Sequence, residues 1–142
     1  MYKRQHLVDI LDDLFSTAKT EIIISSPYID PVIIPFLKKV KNNVKIKILT
    51  QNKENFLVRL ENENKNITIK SFREFKEGVQ LYQLHAKFIC VDGQFCLIGS
   101  ANLNERSIYY NFEMGVLIED EYLCSNLRDI FLSLFEGYFY NI

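Results

Sequence analysis

Residues 84–115 read LHAKFICVDGQFCLIGSANLNERSIYYNFEMG, and the fold is decided here. Two apolar runs, 84–91 and 95–98, flank Asp92-Gly93. An Asp-Gly pair between such runs is a strong hairpin signal, because both positions of the favoured tight turn need positive φ. Gly99-Ser100 then ends the second strand in another turn. A further strand is expected over 112–118 (FEMGVLI). Six residues in the stretch stand in the pattern H-x-K-x4-D-x6-G-S-x-N: His85, Lys87, Asp92, Gly99, Ser100 and Asn102. Glu113 follows His85 by 28 residues.

These residue types suit chemistry on a phosphodiester. A strand over 84–91 would point His85 and Lys87 the same way and turn Ala86 and Phe88 toward a core. Neutral imidazole is a competent nucleophile toward phosphorus, and lysine offers a fixed positive charge for phosphate oxygens. Ser100 and Asn102 add a hydroxyl and an amide donor, returned near His85 by the hairpin. Glu113 can accept a hydrogen bond from the other imidazole nitrogen and so hold its tautomer. The candidate catalytic set is therefore His85, Lys87, Asn102, Glu113, Ser100 and Asp92, with Lys87, Ser100 and Asn102 as phosphate ligands. Asp92 stands in the hairpin turn, and its expected part is mainly to shape that turn. At roughly 5% usage per residue type, a chance match to six spaced identities falls below about one in a hundred thousand.

Outward from the stretch, strands and helices alternate. Leu7, Ile10, Leu11, Leu14, Phe15 and Ala18 form one apolar stripe, which predicts a helix over 5–18. EIIIS at 21–25 reads as a strand buried on both faces. Asp30-Pro31 can cap and start a helix over 31–41. VKIKIL at 44–49 reads as a strand parallel to the first, through a right-handed crossover. A short helix is expected around Phe56, Leu57 and Leu60, then a strand over 67–72 (ITIKSF). Polar residues 73–83, broken by Gly78, read as a loop bordering the site. The chain closes on a helix over 121–138, acidic first, with Leu127, Ile130, Phe131, Leu134, Phe135 and Tyr138 on its apolar face. The class is α/β, a mixed β-sheet flanked by helices on both faces. The aromatic ending FEGYFYNI is expected in the core, with a dimer contact as the sharper reading. His6 reads as a surface residue of the first helix with no catalytic part.

The totals exclude some classes. With 142 residues and 48% hydrophobic content, the chain can bury a sizeable core. The formal net charge of −1 gives no global attraction to nucleic acid. Residues 38–77, however, carry eleven Lys/Arg against five Asp/Glu, so the middle is locally basic. Cys90, Cys96 and Cys124 have no metal-ligand spacing and fit reduced packing residues in a reducing compartment. No leader-like or membrane-spanning apolar run is present in these residues, so a cytoplasmic setting without stable membrane insertion is expected.

The spaced residues resemble the HKD motif of the phospholipase D superfamily, and Glu113 stands where many members place a glutamate beside the histidine. Outside the motif, EIIISSPYI is similar to that family's first strand and loop. The resemblance implies a single phospholipase D-like domain over 1–142. It implies a covalent phosphohistidine and no metal or cofactor. It also implies an active site built from two HKD motifs, one histidine attacking and the other protonating the leaving group. No second H-x-K occurs here, so a twofold homodimer with a shared site is expected. Small single-motif members are mostly nucleases, which makes DNA or RNA the expected substrate and an endonuclease the expected activity. The segment GSANLNERSIYYNFEMGVLI is also similar to the second half of cardiolipin synthases, so a phospholipase or phosphatidyltransferase acting on phospholipid is the alternative. A non-catalytic binding module of the same fold is the third.

Overall fold

A computed structural model describes residues 6–137. The expectations for the His6 side chain, for Tyr138 and for the rest of the aromatic ending fall outside the described residues. Helix α1 (His6–Thr17) leads into strand β1 (Glu21–Ser25). A 3-10 turn (Pro31–Ile33) and a short α2 (Ile34–Leu37) follow, then β2 (Lys45–Thr50), α3 (Asn55–Glu63) and β3 (Ile67–Ser71). Next come β4 (Arg73–Lys76), β5 (Val79–Gln83), β6 (Phe88–Val91) and β7 (Phe95–Gly99). A π-helical turn (Arg106–Tyr110), β8 (Gly115–Glu119) and α4 (Glu121–Phe135) complete the order.

Six strands form one mixed sheet in the order β3-β2-β1-β6-β7-β8. The first three run parallel, and β6, β7 and β8 join antiparallel. Alternation along β1 sends Ile22 and Ile24 to the face covered by α1, and Ile23 to the face covered by α4. Leu11, Leu14 and Phe15 of α1 meet Ile46, Ile48, Ile89 and Val91 on the first face. Phe131 and Phe135 of α4 meet Leu49, Cys90 and Cys96 on the second. The α/β class with helices on both faces is therefore observed. Asp120 caps α4, accepting from Leu123 N at 2.8 Å. No helix among the described residues is long and apolar enough to cross a membrane.

Several boundaries differ from expectation, each for a local reason. Residues 73–83 are a hairpin on a two-stranded sheet of its own, not a loop. Glu77 and Gly78 both take positive φ, 52° and 77°, which is the tight turn that the glycine permits. The strand expected over 84–91 begins only at Phe88. Its partner β1 ends at Ser25, opposite Phe88, so residues 84–87 have no strand to pair with on that side. Ala86 is consequently exposed rather than in the core, while Leu84 is buried. The helix expected over 31–41 is the 3-10 turn plus one α-helical turn, with Asp30 capping as predicted by accepting from Val32 N at 2.9 Å. Ile130 lies off the buried stripe of α4 and is 58% exposed.

All three cysteines are buried and free, and they touch: Cys90 Sγ lies 2.7 Å from Cys96 Sγ, which lies 2.6 Å from Cys124 Sγ. Burial first, then the neighbouring thiol, pushes Cys124 up to about 12. The Cys90 thiol and burial push Cys96 up as well. Thiols held protonated in this way pack as small apolar groups.

Asp92 tightens the hairpin, as expected, by a wider set of bonds than the turn alone needs. Its carboxylate accepts from the backbone N–H of Lys19 (2.9 Å), Thr20 (2.8 Å) and Glu21 (3.1 Å), and from the Thr20 hydroxyl (2.9 Å). Burial pushes this carboxyl up, but the N–H groups of Thr20, Glu21 and Lys19 outweigh it and hold it below the usual range. A lowered folded-state pKa adds stability that is present above the unfolded pKa and lost as pH falls through the folded one. Asp92→Ala is expected to cost about 1–3 kcal/mol at pH 7. The gap from wild type should shrink as pH drops below the ordinary carboxylate range. Urea unfolding of both proteins at neutral and acid pH measures it, and an equal gap at both would refute the assignment.

Candidate active site

The carboxyl ends of β1 and β2 and the two ends of the motif converge on one edge of the sheet, where open α/β folds place their ligands. Five polar side chains among the described residues are buried: Ser25, Ser26, Thr50, Gln51 and Ser107. All five hold backbone that carries the motif or the loops beside it. Gln51 Nε2 donates to Leu84 O at 2.7 Å, and Ser25 Oγ donates to Ala86 O at 2.9 Å. These bonds position residues 84–87, which no ladder holds. Thr50 Oγ1 donates to Pro27 O at 3.0 Å.

The loop after β1 is joined to the loop after β7. Ile29 bridges Leu103 in parallel, Asp30 N donates to Leu103 O at 3.1 Å, and Leu103 N donates to Ser26 Oγ at 3.0 Å. Asp30 Oδ2 accepts from Glu105 N at 2.7 Å. Through this seam Tyr28 N reaches the Asn102 side-chain oxygen at 3.4 Å, and the Asn102 amide N–H groups have no acceptor among the described residues.

Gly99 ends β7 opposite Gly115. A Cβ on Gly99 would collide with the Met114 carbonyl and come within 2.8 Å of Gly115 Cα. Only glycine therefore lets the chain bring Ser100 against the segment that carries Glu113. Ser100 N donates to Met114 O at 2.9 Å, and Met114 N donates to Ser100 Oγ at 3.1 Å.

Glu113 is the hub of the site. Its carboxylate accepts from the Ser100 hydroxyl and, at 3.3 Å, from Asn111 Nδ2. Burial pushes the Glu113 carboxyl up, but the Ser100, Ser107 and Asn111 side chains and the Lys87 charge prevail and hold it below the usual range. The hydrogen bond expected from the imidazole to Glu113 is not formed; the carboxylate is taken up by its closer neighbours. His85 is exposed, and its ring has no hydrogen-bond partner among the described residues. Lys87 donates to the His85 carbonyl at 3.0 Å, so its ammonium stays beside the histidine. The structure thus brings Lys87, Ser100 and Glu113 together, with Asn102 on the adjoining loop and His85 two residues from Lys87. Asp92 lies at the opposite end of β6. Sequence reasoning missed Ser26, Asp30 and Ser107 as parts of the site. Ser26 and Asp30 flank the first strand's exit, where the Ser-Ser-Pro break was the available signal.

A cavity of about 360 Å³ adjoins the site, bounded by Leu7 and Ile10 of α1 and by Leu97, Leu103 and Leu117. Lys87, Glu113 and Ser25 are its polar and charged lining.

Residues 11–135 match the family described as cardiolipin synthase, PLD-like domain. The chain belongs to this family, within the phospholipase D superfamily. Cardiolipin synthase A of Proteus mirabilis is 32% identical over 121 residues, covering 78% of this chain and 24% of that protein. The same enzyme of Serratia proteamaculans is 44% identical over 62 residues, covering 39% of this chain and 13% of its own length. The chain therefore spans a quarter or less of these relatives. Among solved structures, NucT from Helicobacter pylori superposes with a TM-score of 0.81 at 17% identity, covering 95% of this chain and 91% of that one. Nuc from Salmonella typhimurium, a phospholipase D family member, superposes with 0.72 at 21% identity, covering 91% and 86%. Phosphatidylserine synthase of Haemophilus influenzae gives 0.73 at 17% identity, over 89% of this chain and 35% of the other. At these identities the superpositions establish the shared fold.

Proposed function

We propose that this chain is a metal-independent phosphodiesterase whose active site is completed by a second copy, and that its substrate is DNA or RNA. A His85 nitrogen attacks phosphorus, a nitrogen–phosphorus bond forms, and the ester oxygen departs. The second copy's His85 gives that oxygen its proton. Water then attacks the phosphohistidine, losing a proton to the same second histidine and freeing the first. Lys87, Ser100 and Asn102 hold the phosphate oxygens as charge develops. Two histidines facing each other titrate as one coupled unit.

The observation that carries this reading is the arrangement around Glu113. Ser100 bonds its carboxylate, the Lys87 charge acts on it, and the Lys87 ammonium in turn donates to the carbonyl of His85, whose exposed ring has no hydrogen-bond partner among the described residues. Glu113 is held below the usual carboxylate range and is poorly suited to protonate the leaving oxygen, so that proton is assigned to the second copy's His85. The edge strand β8 supports pairing of copies. Val116 and Leu117 of β8 are exposed on a strand adjacent to the site, together with Met114 just before it. The locally basic residues 38–77 favour a polyanionic substrate, although Lys39, Lys47 and Lys53 of that stretch pair with Asp12, Glu21 and Glu61. Buried reduced thiols fit a cytoplasmic setting.

One observation favours a second reading, phospholipid as substrate. The 360 Å³ cavity beside Lys87 is walled by aliphatic side chains, as a hydrocarbon tail prefers, and the curated relatives are cardiolipin synthases. A substrate panel in EDTA separates the two. Single-stranded DNA, duplex DNA, RNA and phosphatidylglycerol vesicles are each incubated with wild type and His85→Ala. Nucleic-acid cleavage that survives EDTA and disappears in the variant is expected. Lipid turnover without nucleic-acid cleavage would instead establish the second reading. Binding without turnover would point to a non-catalytic module.

A further inference from the structure

We propose that the face of the β4–β5 hairpin carrying Arg73, Phe75, Gln80 and Gln83 is a subsite for single-stranded nucleic acid, with the Phe75 ring stacking on a base and Arg73 holding a phosphate beside it. This role deepens the nucleic-acid reading of the proposed function and rests on it. The hairpin pairs with no strand of the main sheet, so its own register lays out its side chains. Directly opposed residues of an antiparallel pair share a face, as do alternate residues of one strand. Arg73 stands opposite Gln83 and Phe75 opposite Gln80, with a bulge between Glu74 and Phe75 that lets Gln80 and Gln83 turn the same way. Two contacts fix this layout. Arg73 Cζ lies 4.5 Å from the centre of the Phe75 ring, and Gln80 Nε2 donates to Gln83 Oε1 at 2.8 Å. Glu74 pairs with Tyr82 and Lys76 with Val79 on the other face, which leaves Arg73 as the one charge on this one.

The chemistry of the face fits an unpaired strand of nucleotides. An aromatic ring takes any base by stacking, a guanidinium beside it binds phosphate, and amides can pair with base edges. Phe75 is 49% exposed. Arg73 is exposed and spends one donor on Asn52 Oδ1 at 2.7 Å, which leaves others for a phosphate. Bases of a duplex are already stacked on one another, so a single strand is the form that this ring can engage. A lipid surface fits less well, because sinking Phe75 into hydrocarbon would draw the guanidinium stacked on it out of water. The face also lies beside the chemistry. Strand β5 runs into the motif, and Gln83 and His85 are two residues apart, so their Cα atoms are separated by no more than about 7 Å. One loop ties down both: Asn52 accepts from Arg73, and its neighbour Gln51 donates to Leu84 O.

The chain has no tryptophan, so Phe75→Trp places a single fluorophore on this face. It is built on His85→Ala, so that a bound strand is not cleaved. Oligothymidylate should quench the emission saturably, and an abasic oligonucleotide of the same length, with the phosphates but no bases, should quench far less. With His85 in place, Phe75→Ala should raise KM for cleavage of a single-stranded oligonucleotide about tenfold with kcat nearly unchanged, and Phe75→Tyr, which keeps the ring, should stay near wild type. No quenching by oligothymidylate, or equal quenching by the abasic strand, overturns the subsite. A blue shift on phosphatidylglycerol vesicles without quenching by oligothymidylate would assign the face to lipid instead. Should Phe75→Ala disorder the hairpin, the tryptophan readout still decides. If oligothymidylate quenches while wild type cleaves no nucleic acid, the subsite stands and the proposed reaction falls. If wild type cleaves nucleic acid and the emission is not quenched, the reaction stands and the subsite falls.

Discussion

Replacing His85 with alanine is expected to reduce phosphodiester hydrolysis by on the order of 10⁴-fold or more, because the residual rate then comes from phosphate binding alone. The same change should leave the fold intact. The ring is exposed and engages no described side chain, so its removal opens no cavity and orphans no buried donor. A thermal melt within a few degrees of wild type, beside a lost rate, would separate chemistry from stability. Brief incubation with a 32P-labelled substrate and alkaline quench should trap label on wild type and none on the variant, since a phosphohistidine survives base. A variant that keeps most of its activity would remove His85 from the role of nucleophile.

Val116→Asp is expected to give a folded monomer with activity lowered about 10²–10⁴-fold, the range that a general acid contributes. Val116 is 60% exposed on β8 and pairs through its backbone with Ile98, so an aspartate there meets water in a lone copy. In a paired copy it would lie in an apolar contact with no partner for its charge. The site residues of the lone copy are untouched, because Lys87, Ser100 and Glu113 bond among residues outside β8. Light scattering reports the mass, and the rate is measured on the same sample. A monomer with wild-type activity would show that one copy suffices.

Much of the fold is legible in local pattern. A short β-branched run located β1, which is buried on both faces, and 3.6-residue apolar spacing located α1, which buries one stripe. Asp92-Gly93 predicted its hairpin because both residues take positive φ, 55° and 65°. The errors arise where a neighbour decides. Whether residues 84–87 extend β6 depends on where β1 stops, and Ser25 is 59 positions away from Leu84 in sequence. The hairpin over residues 73–83 was hidden because its strands alternate weakly and most of their residues are exposed. The candidate site was legible in its residue types, through the motif. Its wiring was not: the alternation argument turned Ala86 inward, whereas Leu84 is the buried residue. Glu113 was expected on the imidazole, yet the glycine turn at Gly99 and a turn that no periodicity announces bring Ser100 and Asn111 to it first.

The central claim is that two copies share one site, and mixing wild type with His85→Ala tests it most directly. The two proteins are unfolded together at equal amounts and refolded, so that pairs form at random, and the rate is compared with wild type at the same total concentration. A site that needs both histidines leaves only wild-type pairs active, so about one quarter of the rate should remain. A rate of about one half would mean that each copy works alone, and would contradict the account.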